Sequence, residues 1–320
     1  MKNKPIVLIA GEPNSIFLEI FFKAIKNRIY KSPLILICCK KILSNQMKKN
    51  KFKKKLNILE IHKLKEYKLD NKSINLINVE CQIINKKFDT NLTNRYLTNS
   101  FELALKLIKN KFSNRLINGP INKKSFLNKK FLGITEFISS KYMTKKTGML
   151  IYNKHLSVCP LTTHLPIKLV AKNITKRLIK EKIYLIDKFF KKNFKFNPKI
   201  AVTGMNPHCE SILKFNEDEK IISSAIRSFT KKKISVKGPY PADTIFLKAN
   251  RNKFDVILGM YHDQVLAPIK TLFEYDAINI TMGLPFLRVT PDHGPNDKMF
   301  GQNRSNPLSL IRALQFLDKR

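Results

Sequence analysis

A chain of 320 residues is long enough for one large α/β unit or two closely joined domains. Its net charge of +38 arises from 61 basic against 23 acidic residues; the lysine runs sit in no recognition-helix or zinc-finger pattern, so a diffuse basic surface is expected and nucleic-acid binding is not. No apolar run approaches the length of a membrane span, and five cysteines without metal-box spacing read as reduced thiols of a cytoplasmic protein.

In chain order, Pro5–Ala10 reads as a strand and Asn14–Tyr30 as a helix with Ile16, Phe17, Ile20, Phe21 and Ile25 along one side. The first ten residues break at Gly11-Glu12-Pro13, which marks a strand end rather than a leader, and Asn14 or Ser15 can cap the helix. Pro33–Cys39 is a second strand. The lysine- and asparagine-rich region 40–94 yields only short strands such as Ile74–Val79. Tyr96–Lys109 is a helix, Leu116-Ile117 a strand entering Gly119-Pro120 and Lys123, and Gly133-Ile134-Thr135-Glu136 opens another helical stretch. Met149–Tyr152 and Leu156–Cys159 are neighbouring strands, Ile167–Phe190 one long helix, Lys199–Thr203 a strand, Glu217–Arg227 a helix, and Pro307–Leu317 an amphipathic helix. This strand–turn–helix rhythm means α/β.

The densest chemistry lies between Asp255 and Asp292. A buried strand, Val256-Ile257-Leu258, leads into Gly259-Met260-Tyr261-His262-Asp263-Gln264, and a second, Ala277–Met282, into Gly283-Leu284-Pro285-Phe286 and Arg288. In open α/β sheets, ligands sit at strand ends. His164, His208 and His262 each follow a short apolar strand, and three neutral imidazoles leave an open position on a catalytic divalent ion; Asp243 and Asp263 are candidates to orient a ligand histidine or bound water. Lys123, Lys270 and Arg288, with Thr135 and Asn279, could hold a phosphate or carboxylate. Glu12 is either functional or a loop and cap residue, and His293 either assists a cofactor or closes a turn. No Gly-x-Gly-x-x-Gly, Walker loop or Gly-x-Ser-x-Gly elbow occurs, so a nicotinamide would bind without the Rossmann fingerprint. Metal-assisted chemistry on a small anionic substrate is the leading reading, with a basic nucleic-acid-binding protein as its rival class.

These segments resemble those of the 4-hydroxythreonine-4-phosphate dehydrogenases of pyridoxal phosphate biosynthesis. The similarity is carried by Thr162-Thr163-His164-Leu165-Pro166, Asn206-Pro207-His208, Pro241-Ala242-Asp243-Thr244, Tyr261-His262-Asp263-Gln264, Asn279-Ile280-Thr281, Arg288 and Asp292-His293-Gly294, in the family's order. The resemblance implies a two-domain α/β/α subunit of the isocitrate and isopropylmalate dehydrogenase type, not a Rossmann fold, with the active site in the interdomain cleft. The expected domains are 1–130 with 283–320, and 131–282. It further implies a homodimer whose metal site takes histidines from both subunits. His164, His208 and His262 would bind zinc, magnesium or cobalt, and Thr135, Lys270, Asn279 and Arg288 the phosphorylated substrate. Apart from the resemblance, Glu12 and His293 are assigned from their own turns to NAD or NADP. Asp243, Asp263 and Lys123 are assigned to catalysis. The family oxidises the 3-hydroxyl of 4-phosphooxy-L-threonine, and the product loses carbon dioxide.

The chain also departs from the family pattern. Ile134 stands where a histidine usually precedes Thr135, Asn122 where histidine often precedes the lysine, and Val265 where a glycine follows Tyr-His-Asp-Gln. Cys209-Glu210-Ser211-Ile212-Leu213 replaces a glycine-rich turn. A related dehydrogenase acting on another phosphorylated or carboxylated hydroxy acid is therefore a further alternative.

Overall fold

The computed structural model describes residues 4–81, 90–121, 133–144, 146–212, 215–292, 294 and 296–320. The chain forms two compact units, Met1–Ile138 with Pro285–Arg320, and Ser139–Leu284. These bounds compare with breaks expected after residues 130 and 282.

The strands are β1 (Ile6–Ile9), β2 (Leu34–Cys38), β3 (Leu56–Ile58), β4 (Ile74–Asn78), β5 (Arg115–Asn118), β6 (Gly148–Tyr152), β7 (Ser157–Thr162), β8 (Lys199–Thr203), β9 (Ser235–Tyr240), β10 (Val256–Tyr261), β11 (Ile278–Met282) and β12 (Leu287–Pro291). The longer helices are α1 (Phe17–Ile25), α2 (Lys40–Lys49), α3 (Thr90–Lys109), α4 (Ile134–Lys141), α5 (Ile167–Asn173), α6 (Lys176–Phe194), α7 (His262–Phe273) and α8 (Leu308–Asp318). Among the described residues, no helix is long and apolar enough to cross a membrane.

In the first unit the strand order is β3-β4-β2-β1-β5-β12, and every pair is parallel. Its central strands, Ile-Val-Leu-Ile and Leu-Ile-Leu-Ile-Cys, are buried at every position. Continuous apolar runs of this kind belong to parallel sheets covered on both faces. In the second unit the order is β11-β6-β7-β10-β8-β9. The β11–β6 and β6–β7 pairs are antiparallel, and β7–β10, β10–β8 and β8–β9 are parallel. Ile151, Val158, Ala201 and Ile257 from the sheet pack with Val265 and Ile269 of α7 in one core cluster.

Several elements differ from their sequence expectation. The first helix stops at Ile25, because Lys26–Ile29 has no face to bury and Ile29 is 97% exposed. It has no side-chain cap on Ile16, although Phe17 N donates to Ser15 Oγ at 3.4 Å. The helix α2 lies in the region that showed only strands, since it buries just Ile42, Leu43 and Gln46. The single helix over 167–190 is two. Thr175 takes an extended conformation and its hydroxyl accepts from Leu178 N at 3.2 Å, so a β-branched residue acts as a new N-cap where the sequence periodicity ran on. Strand β10 continues past Leu258 to Tyr261, and His262 begins α7.

Candidate active site

Three parallel strands of the second unit, β7, β10 and β8, end side by side. Register places Tyr261 beside Thr162 and Leu258 beside Val202. The segments carrying His164, His262 and His208 therefore leave from one edge, the carboxyl edge that open α/β sheets use for ligands. The His164 and His262 rings stand 6.1 Å apart between centroids, tilted by 35°. His262 Nδ1 lies 2.7 Å from Asp263 Oδ1. A carboxylate there places the proton on Nδ1 and leaves Nε2 as the ligating nitrogen, which is the orienting role assigned to such a residue. Two imidazoles on one ion, with metal–nitrogen bonds of about 2.0–2.1 Å, lie roughly 5–6 Å apart between centroids. At 6.1 Å the rings stand wider than that, so they are neighbouring candidate ligands not drawn onto a common ion.

His208 is exposed in the 3-10 turn Pro207–Cys209, with φ of 56°. It does not extend the pair to a triad: among the described residues, no three His, Cys, Asp or Glu side chains are grouped to hold an ion. Asp243 lies exposed on the short helix Ala242–Ile245. Its charge and that of Asp218 join burial, the largest cause, in pushing the Cys209 thiol up to about 11. The thiol adjacent to His208 is therefore protonated at neutral pH, which removes it as a nucleophile.

Sequence reasoning missed two residues that organise this edge. Gln264 Oε1 accepts from Thr203 Oγ1 and Met260 N, both at 2.7 Å, while Nε2 donates to the Gly204 carbonyl at 2.8 Å. One amide thus ties the end of β8 to the end of β10. Thr162 Oγ1 adds a 2.8 Å bond to the Met260 carbonyl, so β7 is fastened to the same point. The other is Asp218, whose carboxylate holds Met205 and Asn206. Gln264 was legible as an amide at a strand end; nothing in the sequence distinguished Asp218 from other helix-start acids.

A second polar group lies in the first unit. Arg288, 5% exposed on β12, donates from Nε to Asn118 Oδ1 at 2.9 Å and from Nη1 to Thr135 Oγ1 at 3.0 Å. Strands β12 and β5 are parallel neighbours, with Arg288 in register with Leu116. Asn118, at the end of β5, was not singled out as a site residue. Phe137 packs edge-on against Phe101 of α3, 6.0 Å between centroids, and seats the start of α4. Burial lowers the Arg288 pKa to about 10, opposed by the Glu136 carboxylate, so the guanidinium keeps its charge at neutral pH. A buried, oriented guanidinium beside a hydroxyl has the chemistry of a phosphate or carboxylate holder.

Of the remaining predicted residues, Lys270 on α7 and Asn279 on β11 are half-buried in the second unit. Glu12 is buried in the turn after β1, where its N–H donates to the Pro120 carbonyl at 3.0 Å and its carbonyl accepts from Ser15 Oγ at 2.8 Å. Lys123 and His293 lie outside the described residues.

An α/β enzyme subunit is the class that this fold and these strand-end groups define. The sequence matches the family described as pyridoxal phosphate biosynthetic protein PdxA over residues 30–317. It is 34% identical over 317 residues to 4-hydroxythreonine-4-phosphate dehydrogenase of Sulfurihydrogenibium sp., covering 97% of this chain and 96% of that one. It is 32% identical over 203 residues, 62% of each chain, to D-threonate 4-phosphate dehydrogenase of Pectobacterium atrosepticum. The crystal structure of 4-hydroxythreonine-4-phosphate dehydrogenase from Klebsiella pneumoniae superimposes with a TM-score of 0.84 at 25% identity, over 98% of this chain and 97% of that one. The chain belongs to the PdxA family and is a dehydrogenase of that type.

Proposed function

We propose that the chain oxidises the 3-hydroxyl of 4-phosphooxy-L-threonine with NAD or NADP and one divalent ion, and that the β-keto acid formed loses carbon dioxide to give 3-amino-2-oxopropyl phosphate. The facing pair His164 and His262, with Asp263 on the second ring, carries this reading. Zinc suits imidazole donors, and magnesium or cobalt could serve. When bound, the ion supplies Lewis acidity to the substrate oxygen and the nicotinamide accepts the hydride.

The chain's own groups orient the substrate and move the proton. Arg288 and Thr135 hold the phosphate, and Asn118 fixes the guanidinium. Lys270 and Asn279 bind the substrate on the family resemblance; Lys123 is assigned to catalysis, and Glu12 and His293 to the nicotinamide. In the oxidation the hydroxyl loses its proton to a base, with Asp243 and Asp263 the candidates, while the C3 hydrogen leaves as hydride. In the second step the bond to the carboxylate breaks, its electron pair passes towards the ketone, and the carbon is reprotonated. A homodimer in the cytoplasm, each site taking histidines from both copies, supplies the imidazole that the His164–His262 pair lacks.

NADH formation from 4-phosphooxy-L-threonine is the direct test, together with the metal content of the natural protein and of His262→Ala. Activity with about one ion per chain, lost in the variant, is expected. A metal-loaded dimer that forms no NADH refutes the substrate, and unchanged stoichiometry in His262→Ala refutes the ligand assignment. A second reading, another 4-phosphorylated hydroxy acid, is favoured by Ile134: it is 7% exposed and offers no donor beside Thr135. Turnover of D-threonate 4-phosphate in the same assay, faster than that of 4-phosphooxy-L-threonine, would select it.

A further inference from the structure

Two consecutive non-glycine residues, His208 and Cys209, have left-handed backbones, with φ of 56° and 62°. L side chains disfavour this region, and a pair persists only where its surroundings hold it. The surroundings here are unusual. Asp218, fully buried with 0% exposure, directs its carboxylate into the loop that follows β8. Oδ1 accepts from Met205 N at 2.6 Å, and Oδ2 accepts from Asn206 N at 3.1 Å and Asn206 Nδ2 at 2.8 Å. Glu217 Oε2 accepts from the same Nδ2 at 3.2 Å.

The carboxylate also borders the strained pair. A Cβ on Gly204 would stand 2.6 Å from both Asp218 Oδ1 and Cys209 Sγ, so acid and thiol flank one backbone position. Asp218 is itself fixed. Asn216 Oδ1 accepts from Asp218 N at 2.9 Å, and Asp218 opens the π-helical turn Asp218–Ser223. Such turns are rare and concentrate at functional sites.

We propose that Asp218 is the positioning residue for His208: its buried carboxylate fastens Met205 and Asn206 and so holds the left-handed turn that presents the imidazole. Its bearing on metal binding rests on the reading of His208 as a ligand; its bearing on the loop does not. The role differs from that of Gln264, which fixes where the loop starts, at Gly204.

Asp218→Asn keeps the shape of the side chain but sets an amide N–H against the Asn206 donors. In histidine-labelled protein free of metal, the ring resonance of His208, assigned with His208→Ala, should move in Asp218→Asn while those of His164 and His262 stay. Cobalt affinity in a competition titration should fall roughly 10–100-fold, the range for groups that orient a ligand. Cys209→Gly placed on Asp218→Asn should recover most of that loss, because glycine adopts positive φ without a steric cost. In a His208→Ala background, Asp218→Asn should change cobalt affinity little further. Should Asp218→Asn fail to fold, Asn206→Ala removes only the side-chain bonds to Asp218 and Glu217, and a smaller shift of the same resonance is expected. If Asp218→Asn lowers the urea midpoint but leaves the His208 resonance and cobalt affinity unchanged, Asp218 is structural only and the proposal is overturned. If His208→Ala leaves cobalt affinity intact, the ligand reading fails, and the His208 resonance alone then decides the positioning role.

Discussion

Replacing Arg288 by lysine preserves charge and removes geometry. The guanidinium serves two partners at once, Asn118 Oδ1 at 2.9 Å through Nε and Thr135 Oγ1 at 3.0 Å through Nη1. A single ammonium cannot occupy both donor positions, and it is the more strongly hydrated ion. Asn118 is buried, and its Nδ2 is already committed to the Gly119 carbonyl at 3.0 Å. The variant thus loses a bond from a charged donor, about 1.5–3 kcal/mol, and strands a buried acceptor. We expect the urea midpoint of Arg288→Lys to fall by the equivalent of about 2–3 kcal/mol with an unchanged slope. If the same group grips the substrate phosphate, KM for the phosphorylated substrate should rise roughly 10–100-fold while KM for the nicotinamide stays. Because burial lowers the folded pKa from the ordinary arginine value to about 10, the unfolded chain binds this proton more tightly. Its burial penalty is present at every pH below about 10 and is relieved only as pH rises above that value. The contribution of Arg288 itself to stability is therefore expected to be flat from pH 6 to 9. Midpoint and KM both within error of the natural protein would refute the account.

Gln264→Leu removes three hydrogen bonds at the ends of β8 and β10, and at roughly 1 kcal/mol each it should destabilise by about 3 kcal/mol in urea unfolding; a cost under about 0.5 kcal/mol would show that the amide does not join these strands. Alkylation of Cys209 by iodoacetamide, followed by mass spectrometry, should accelerate through pH of about 11, because the thiolate is the reactive form and burial beside Asp218 delays it. An inflection at the ordinary thiol value would contradict that environment.

The fold was legible wherever burial imposed a period. Strands β1, β2 and β8 were placed within a residue or two because every side chain of the first two is buried and the third is buried at every position after Lys199. Legibility failed where the periodicity was thin or continued too far. Helix α2 hides in lysine and asparagine because it needs only three buried side chains, and the break at Thr175 is invisible because residues on both sides keep a helical apolar period. Helix α7 was obscured by its own chemistry. His262, Asp263 and Gln264 look like a loop, yet a Cβ on Gly259 would run into Val265, the fully buried residue that seats the helix against β10.

The site shows the same division between residues and their supports. The side chains that could touch a ligand announce themselves: a histidine, a carboxylate or a scarce arginine just beyond an apolar strand is hard to explain as packing. Arg288 and Thr135 are 153 positions apart, and only the parallel pairing of β12 with β5, together with the seating of α4 on Phe101, makes them neighbours. The supports do not announce themselves, because an asparagine such as Asn118 or an acid such as Asp218 gains its role from what the fold brings to it. Register supplies the difference. Once Tyr261 pairs with Thr162, and Leu258 with Val202, the residues that follow these three strands must share one edge. The amide of Gln264 can then reach Thr203, Gly204 and Met260 together, although β8 and β10 are more than fifty residues apart in the chain. A sequence presents the ligands of a strand-end site; the pairing of the strands determines which side chains hold them in place.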